Sequence, residues 1–324
     1  MKTKVCYHIQ THKAPAQVTQ LVEIIKRGSP ESVVVISHDD RGLGLDIPRL
    51  TSLPNVYVIN GRGGYGDFSH LDRYFTAVDW LDERGIEYDW LENLTGQDFP
   101  LRPIPEIEDI LESTEADGYL QYAPVFPERT PKDVDWGAGP EFRPCRPFDA
   151  SMRYEFRHWR IGRPTPAKQR WLRPFMIIDW MQPWVRLSLA YQTIGVRRRK
   201  TIFNSGFIAY GGLFQCTLSA RCVRYVRNFA RENPDVVAFF RTLLGPEEVF
   251  LQTVLVNSGK FHLIPDAKRY VDFTNQRNAR SKILDVNDLN AMVASGAHWA
   301  RKFDQQREGE VLEILRSRIE KERP

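Results

Sequence analysis

The chain has 324 residues, 42% hydrophobic and 12% aromatic, with 45 basic and 41 acidic side chains and a formal net charge of +4. That supplies a substantial core, is too balanced for a dedicated nucleic-acid binder, and includes no run of about eighteen apolar residues that would cross a membrane as a helix. The four cysteines, Cys6, Cys145, Cys216 and Cys222, form no CxxC pair. The pattern predicts free thiols in a reducing compartment rather than a zinc site.

The chain opens on "MKTKVCYHIQTHK", where the apolar run is too short for an export signal and reads as a first strand. A cytoplasmic protein is expected, with peripheral membrane association left open. "APAQVTQLVEIIKRG" carries Val18, Leu21, Val22 and Ile25 at helical spacing and stops at Gly28. "SVVVISHD" and "NVYVI" are β-branched runs of buried strands. "FSHLDRYFTAVDWLDERG" reads as an amphipathic helix, with Ser69 as candidate N-cap and Gly85 as stop, and "YDWLENL" as the next strand. This β-α-β-β-α-β order predicts an open, mostly parallel sheet with helices on both faces. Ligands of such sheets bind outside the strands' carboxyl ends. There the chain places the polar segments "HIQTHK", "SHDD" and "LTGQD". The sequon Asn93-Leu94-Thr95 falls at a strand end and reads as a coincidence.

From 118 to 200 the periodicity fades into Pro, Arg and Trp, predicting long packed loops with a short helix or two, one of them within "DWMQPWVRLSLAYQTI". The basic run "VRRRK", Val196 to Lys200, suits an anionic ligand or a solvated face. Order returns with strands around Gly211-Gly212 and helices in "ARCVRYVRNFAREN", "GPEEVFLQTVLVNS", "DVNDLNAMVASGAHWARKFD" and "QQREGEVLEILRSRIEKERP". The second of these starts at Pro246 with Glu247 and Glu248 in its first turn. The third is capped by Asp285 or Asn287. Asp133-Val134-Asp135 has D-x-D spacing, as a metal-dependent transferase would use, but its irregular setting reads as loop acids. The loop "GRGGYGDF" is glycine-rich without the dinucleotide fingerprint.

Taken together, "YHIQTHKAPAQVTQLVEII", "VVVISHDD", "GGYGDFSHLDRYFTAVDWL", "WLENLTGQDFPLRPIPEIEDIL", "GPEEVFLQTVLVNS" and "ASGAHWARKFD" resemble the core-2/I-branching β-1,6-N-acetylglucosaminyltransferases and peptide O-xylosyltransferases (glycosyltransferase family 14). They run in family order and span nearly all of the chain outside the middle loops. The resemblance implies one domain of GT-A type over residues 1–324. A nucleotide-sugar-binding half would occupy 1–117, loops shaping an acceptor cleft 118–200, and the catalytic-base and diphosphate-clamp half 201–324.

It also implies inverting transfer of a sugar, GlcNAc or xylose, from a UDP donor to a carbohydrate or other hydroxyl acceptor, with no essential metal or other cofactor. Inverting transfer needs one general base for the attacking hydroxyl and positive charge on the leaving diphosphate. By resemblance Glu248 is the base, with Glu247 its solvent-facing neighbour, and Asp98 orients a sugar hydroxyl or holds its own turn. Lys302 contacts the diphosphate, with Arg280 or Arg277 as its partner. His12 and Asp39 contact uridine or ribose. Trp136, Trp159 and Trp171 are candidates for stacking on sugar rings. The alternatives are a catalytically inactive nucleotide-sugar or carbohydrate binder and a metal-dependent transferase using Asp133 and Asp135. Acceptor identity and oligomeric state stay open.

Overall fold

Strand β1 (Val5–Thr11) is buried along its whole length and pairs in parallel on both sides, with β2 (Val33–His38) and with β4 (Trp90–Thr95). β3 (Val56–Asn60) extends the sheet in parallel beyond β2. These elements belong to a computed structural model that describes residues 3–64, 66–139, 144, 147–162, 183–188, 192–274 and 281–321. On the other side of β4 lies the antiparallel β12 (Thr217–Ser219), followed by β6 (Gly118–Tyr119) and β13 (Leu263–Ile264), giving the order β13-β6-β12-β4-β1-β2-β3. The fold is mixed α/β around a mostly parallel central sheet.

Alternation along β1 decides which helix covers which face. Cys6 joins Leu71, Tyr74 and Val78 of helix α3 (Ser69–Glu83) in one core cluster. Helices α6 (Ala220–Glu232) and α8 (Phe250–Ser258) add Val223, Val226, Phe250 and Val254 to it. Val5, Tyr7 and Ile9 join the opposite cluster, with Val18, Leu21 and Ile25 of α1 (Pro15–Gly28). Helices α4 (Ile104–Ser113) and α10 (Gly309–Lys321) complete that face through Ile107, Leu111, Leu312 and Leu315. Each such side chain contributes roughly 1.5–3 kcal/mol by burial. Gly28 ends α1 where a Cβ would lie 2.6 Å from Ile104 Cβ, so the missing side chain lets α1 approach the start of α4.

A second small sheet orders β14 (Arg269–Val271), β15 (Trp299–Arg301) and β5 (Asp98–Pro100). A fully buried ion pair joins Arg269 to Glu92 of β4, and Thr217 Oγ1 donates to both Glu92 oxygens at 3.0 and 2.9 Å. Burial pushes the Arg269 pKa down, to about 9, with Arg301 adding to the effect.

The middle of the chain holds a short helix, as expected, and departs from the expected loops in forming a sheet. Helix α5 (Pro147–Tyr154) precedes an antiparallel sheet of β8 (Phe156–Arg160), β10 (Thr193–Arg197) and β9 (Val185–Ser188). Of "DWMQPWVRLSLAYQTI", expected to contain a helix, residues 183–188 and 192–194 are described and include the strand Val185–Ser188; the rest of the run lies outside the described residues. Val185 and Val196 are a cross-strand pair, and β-branched residues suit a pleated surface.

Candidate functional site

The carboxyl ends of β1 and β2 interlock through the backbone. Asp39 N donates to Thr11 O at 2.9 Å, and Leu43 N donates to His12 O at 3.1 Å. A Cβ on Gly42 would stand 1.8 Å from His12 O, so the turn closes only without a side chain. Asp39 is buried and accepts from Arg41 N at 3.1 Å, Arg41 Nε at 2.8 Å, Gly63 N at 3.3 Å and Arg73 Nη2 at 3.3 Å. The Arg41 side-chain bond holds the Asp39 carboxyl well below the usual carboxylate range. Sequence reasoning made Asp39 a nucleoside contact. In the structure its carboxylate anchors the glycine-rich loop and neutralises Arg73, whose side chain is only 5% exposed.

His12 stands exposed beside this knot. Its pKa is lowered by desolvation first, then by the charges of Lys13 and Arg73; Asp39 opposes the shift and Lys302 adds to it. The structure therefore brings His12, Asp39 and the half-buried Lys302 into one electrostatic neighbourhood. Arg277 and Arg280 lie outside the described residues.

The glutamate-bearing turn meets the same loop from the other side. Gly245, at φ 62, precedes a 3-10 turn over Pro246–Glu248, and α8 starts only at Phe250, so the pair precedes the helix rather than filling its first turn. Gly245 N donates to Gly66 O at 3.1 Å, and Gly212 N donates to Glu248 O at 2.9 Å. Arg153 of α5 donates to Glu248 Oε2 at 2.6 Å; the side chains are 13% and 46% exposed. The Glu248 carboxylate is thus fixed and still reachable. Glu247 corrects the expectation of a solvent-facing neighbour. Its Oε2 is buried with no hydrogen-bond partner among the described residues. Desolvation, then repulsion from Glu248, pushes its pKa up to about 8, with Asp67 contributing.

Asp98 is fully buried. Its Oδ2 accepts from Thr95 Oγ1 at 2.7 Å and from Thr95 N, and Arg301 Nε lies 3.4 Å from Oδ1. Burial raises its pKa against the opposing effects of Arg301 and Thr95. Of the two roles expected from sequence, direct contact with a sugar is corrected, because no part of the carboxylate reaches the surface; Asp98 holds its turn and positions Arg301. The polar stretch "TGQD" is likewise used internally, with Gln17 donating to Gly96 O at 3.0 Å and Gln97 to Phe303 O at 3.0 Å. Asp135 accepts from the Tyr122 hydroxyl and from Gly137 N, as a loop acid does, and no group of three His, Cys, Asp or Glu side chains among the described residues is arranged to hold a metal ion. Trp136 is half-buried and Trp159 is 46% exposed, while Trp171 lies outside the described residues.

Arg73 and Arg153 escaped the sequence reading. Arg73 carried a usable signal, a charge between Leu71 and Tyr74 on a helix's buried face. Arg153 lies where no periodicity marked an element. Neither carried a mark of its electrostatic partner, because Asp39 and Glu248 lie far away in the chain.

No family model and no curated protein matches the chain. Among solved structures, similarity is found to 4-diphosphocytidyl-2C-methyl-D-erythritol synthase (16% identity, TM-score 0.29, 39% of this chain and 61% of that one). A cytidylyltransferase from Leptospira borgpetersenii serovar Hardjo-bovis gives 14% identity and a TM-score of 0.26 over 38% of this chain and 53% of that one. A putative glucose-1-phosphate thymidylyltransferase from Bacillus anthracis gives 9% identity and a TM-score of 0.29 over 72% of this chain and 80% of that one. The chain thus spans less than two thirds of the first two structures it is similar to.

Proposed function

We propose that the protein is an inverting glycosyltransferase that moves a sugar, GlcNAc or xylose, from a UDP donor to a hydroxyl acceptor. Glu248 removes the acceptor proton, and Lys302, with Arg277 or Arg280, binds the departing diphosphate. One observation carries this reading: Glu248, held by Arg153 and 46% exposed, sits on a turn hydrogen-bonded to the glycine-rich loop that Asp39 anchors beside His12 and Lys302. A base, a nucleotide-side loop and a cation thus stand at one edge of a mostly parallel sheet, where ligands of such sheets bind.

The chemistry assigns each group a task. Arg153 holds the Glu248 side chain in place, where the carboxylate can accept a proton as the hydroxyl attacks the anomeric carbon. The Lys302 ammonium stabilises the negative charge that develops on the diphosphate as the glycosidic bond breaks. Asp98 acts at a distance by orienting Arg301.

A thermal-shift screen over UDP-sugars, run with a chelator present, tests the reading. It predicts a rise in melting temperature with UDP and with one UDP-sugar, and UDP release once a hydroxyl acceptor is supplied. Lys302→Ala should weaken UDP binding at least ~10-fold, the scale of one charge-assisted contact. No response to any uridine nucleotide would reject the function; a response without UDP release from any acceptor would favour a binding protein.

A further inference from the structure

The antiparallel sheet of β8, β10 and β9 touches the glycine-rich loop through Arg160, 3.0 Å from Asp67, but supplies none of the side chains given a catalytic or donor-binding role. One of its faces is turned outward. Trp159 pairs across strands with Ile194, and Val196 with Val185, and directly opposed residues share a face. These four are 46%, 37%, 41% and 41% exposed, and Trp184, the residue before β9, is 65% exposed. Four large apolar side chains exposed on one face of a small sheet make a patch of the kind that marks an interaction surface rather than scattered surface residues.

Charge says what kind. Residues 156–162, 183–188 and 192–200 hold seven Arg and Lys side chains and no Asp or Glu. Asp67 of the glycine-rich loop lies 3.0 Å from Arg160, and Glu155, just before β8, lies 3.5 Å from Arg197. Arg157, Arg199 and Lys200 are exposed. The Arg157 guanidinium lies over the Trp159 ring at 5.1 Å from its centroid, so charge and aromatic surface are presented together. Tryptophan with basic residues at its rim suits the headgroup level of an anionic bilayer, where the indole enters the interface and the cations meet phosphate.

We propose that this sheet face docks the protein onto an anionic membrane surface. The inference does not depend on the glycosyl-transfer reading: Glu248, Asp39, His12 and Lys302 take no part, and Trp159, a candidate from sequence for stacking on a sugar, is assigned to the patch instead. The association is peripheral: no helix among the described residues is long and apolar enough to cross a membrane. Basic residues supply the attraction, at about fivefold in affinity for each one near the surface, and the apolar patch supplies shallow insertion.

Vesicle flotation tests it with the full chain, comparing phosphatidylcholine vesicles with vesicles containing about a third phosphatidylglycerol, a content at which the charge term dominates. The expected result is binding to the anionic vesicles only, weakened by half-molar salt. Arg199→Glu with Lys200→Glu should reduce it at least ~10-fold, and Trp159→Ser should reduce it as well. Both sets of positions are exposed, and unchanged melting temperatures would show the variants folded. No binding to anionic vesicles overturns the proposal. So does binding that both variants leave intact, which would place the contact elsewhere. Capture by soluble polyglutamate without vesicle binding also overturns it, in favour of an acidic protein partner.

Discussion

Glu247 and Glu248 are adjacent residues in opposite environments. Arg153 satisfies Glu248 while leaving it 46% exposed; Glu247 turns Oε2 into the protein, where no described group bonds it. Burial, repulsion from Glu248 and the charge of Asp67 raise its folded-state pKa to about 8, against an ordinary value of 4.5. Between those values the folded chain keeps a proton that the unfolded chain has lost. The contribution is therefore fully present below about pH 4.5 and is lost as pH rises through about 8. Glu247→Gln should flatten that fall and raise the melting temperature at pH 8 relative to the parent, as a pH series of thermal melts would show; parallel curves for the two proteins would contradict the assignment. Nothing in the string "PEE" distinguishes the two carboxylates, because the difference is made by Arg153 and by the packing of the turn.

Elements carry the site through two tight junctions. At the first, Gly42 lets the β2 loop close over the end of β1, with the place of a Cβ only 1.8 Å from His12 O. Gly42→Ala should cost about 1–3 kcal/mol, the usual range for overpacking, and should displace His12 and Lys13. A lower melting temperature with weaker UDP binding is the expected pair of readings, and an unchanged protein would show the loop to be slack. At the second, the Glu92–Arg269 pair joins β4 to β14 and carries the small sheet that ends at Arg301. Arg269→Met leaves a buried carboxylate uncompensated and should cost about 3–5 kcal/mol by chemical denaturation. Glu92→Gln combined with Arg269→Met should recover part of that loss.

Much of this was legible at the level of elements. The β-branched runs, the spacing of Val18, Leu21, Val22 and Ile25, and Gly85 at φ 62 all sit where patterning put them. Asp285 caps its short helix through a capping box with Asp288. The sheet of β8, β9 and β10 was not legible. Its strands alternate buried and exposed positions, yet Arg, Trp, Ile and Val all occupy the exposed ones, so polarity does not follow the period.

At the scale of the whole molecule, the central sheet separates two apolar layers and leaves one polar edge where β1 and β2 end. The glycine loop, His12 and Lys302 gather there, and the Glu247–Glu248 turn closes against the loop from the far half of the chain. Long-range pairing of this kind is invisible to local patterning, and so sequence predicted the strand ends but not the knot of Asp39, Arg41 and Arg73 that organises them. It left Asp98 between orienting a sugar hydroxyl and holding its own turn, and the structure buries that turn, with Thr95 bonded to the Asp98 carboxylate. The account rests on Glu248 as the proton acceptor at that edge. The most direct test is UDP release by Glu248→Gln, with donor affinity measured on the same preparation. Turnover lost by at least ~10²-fold with UDP-sugar binding retained is the predicted result; turnover within a fewfold of the parent would contradict the mechanism.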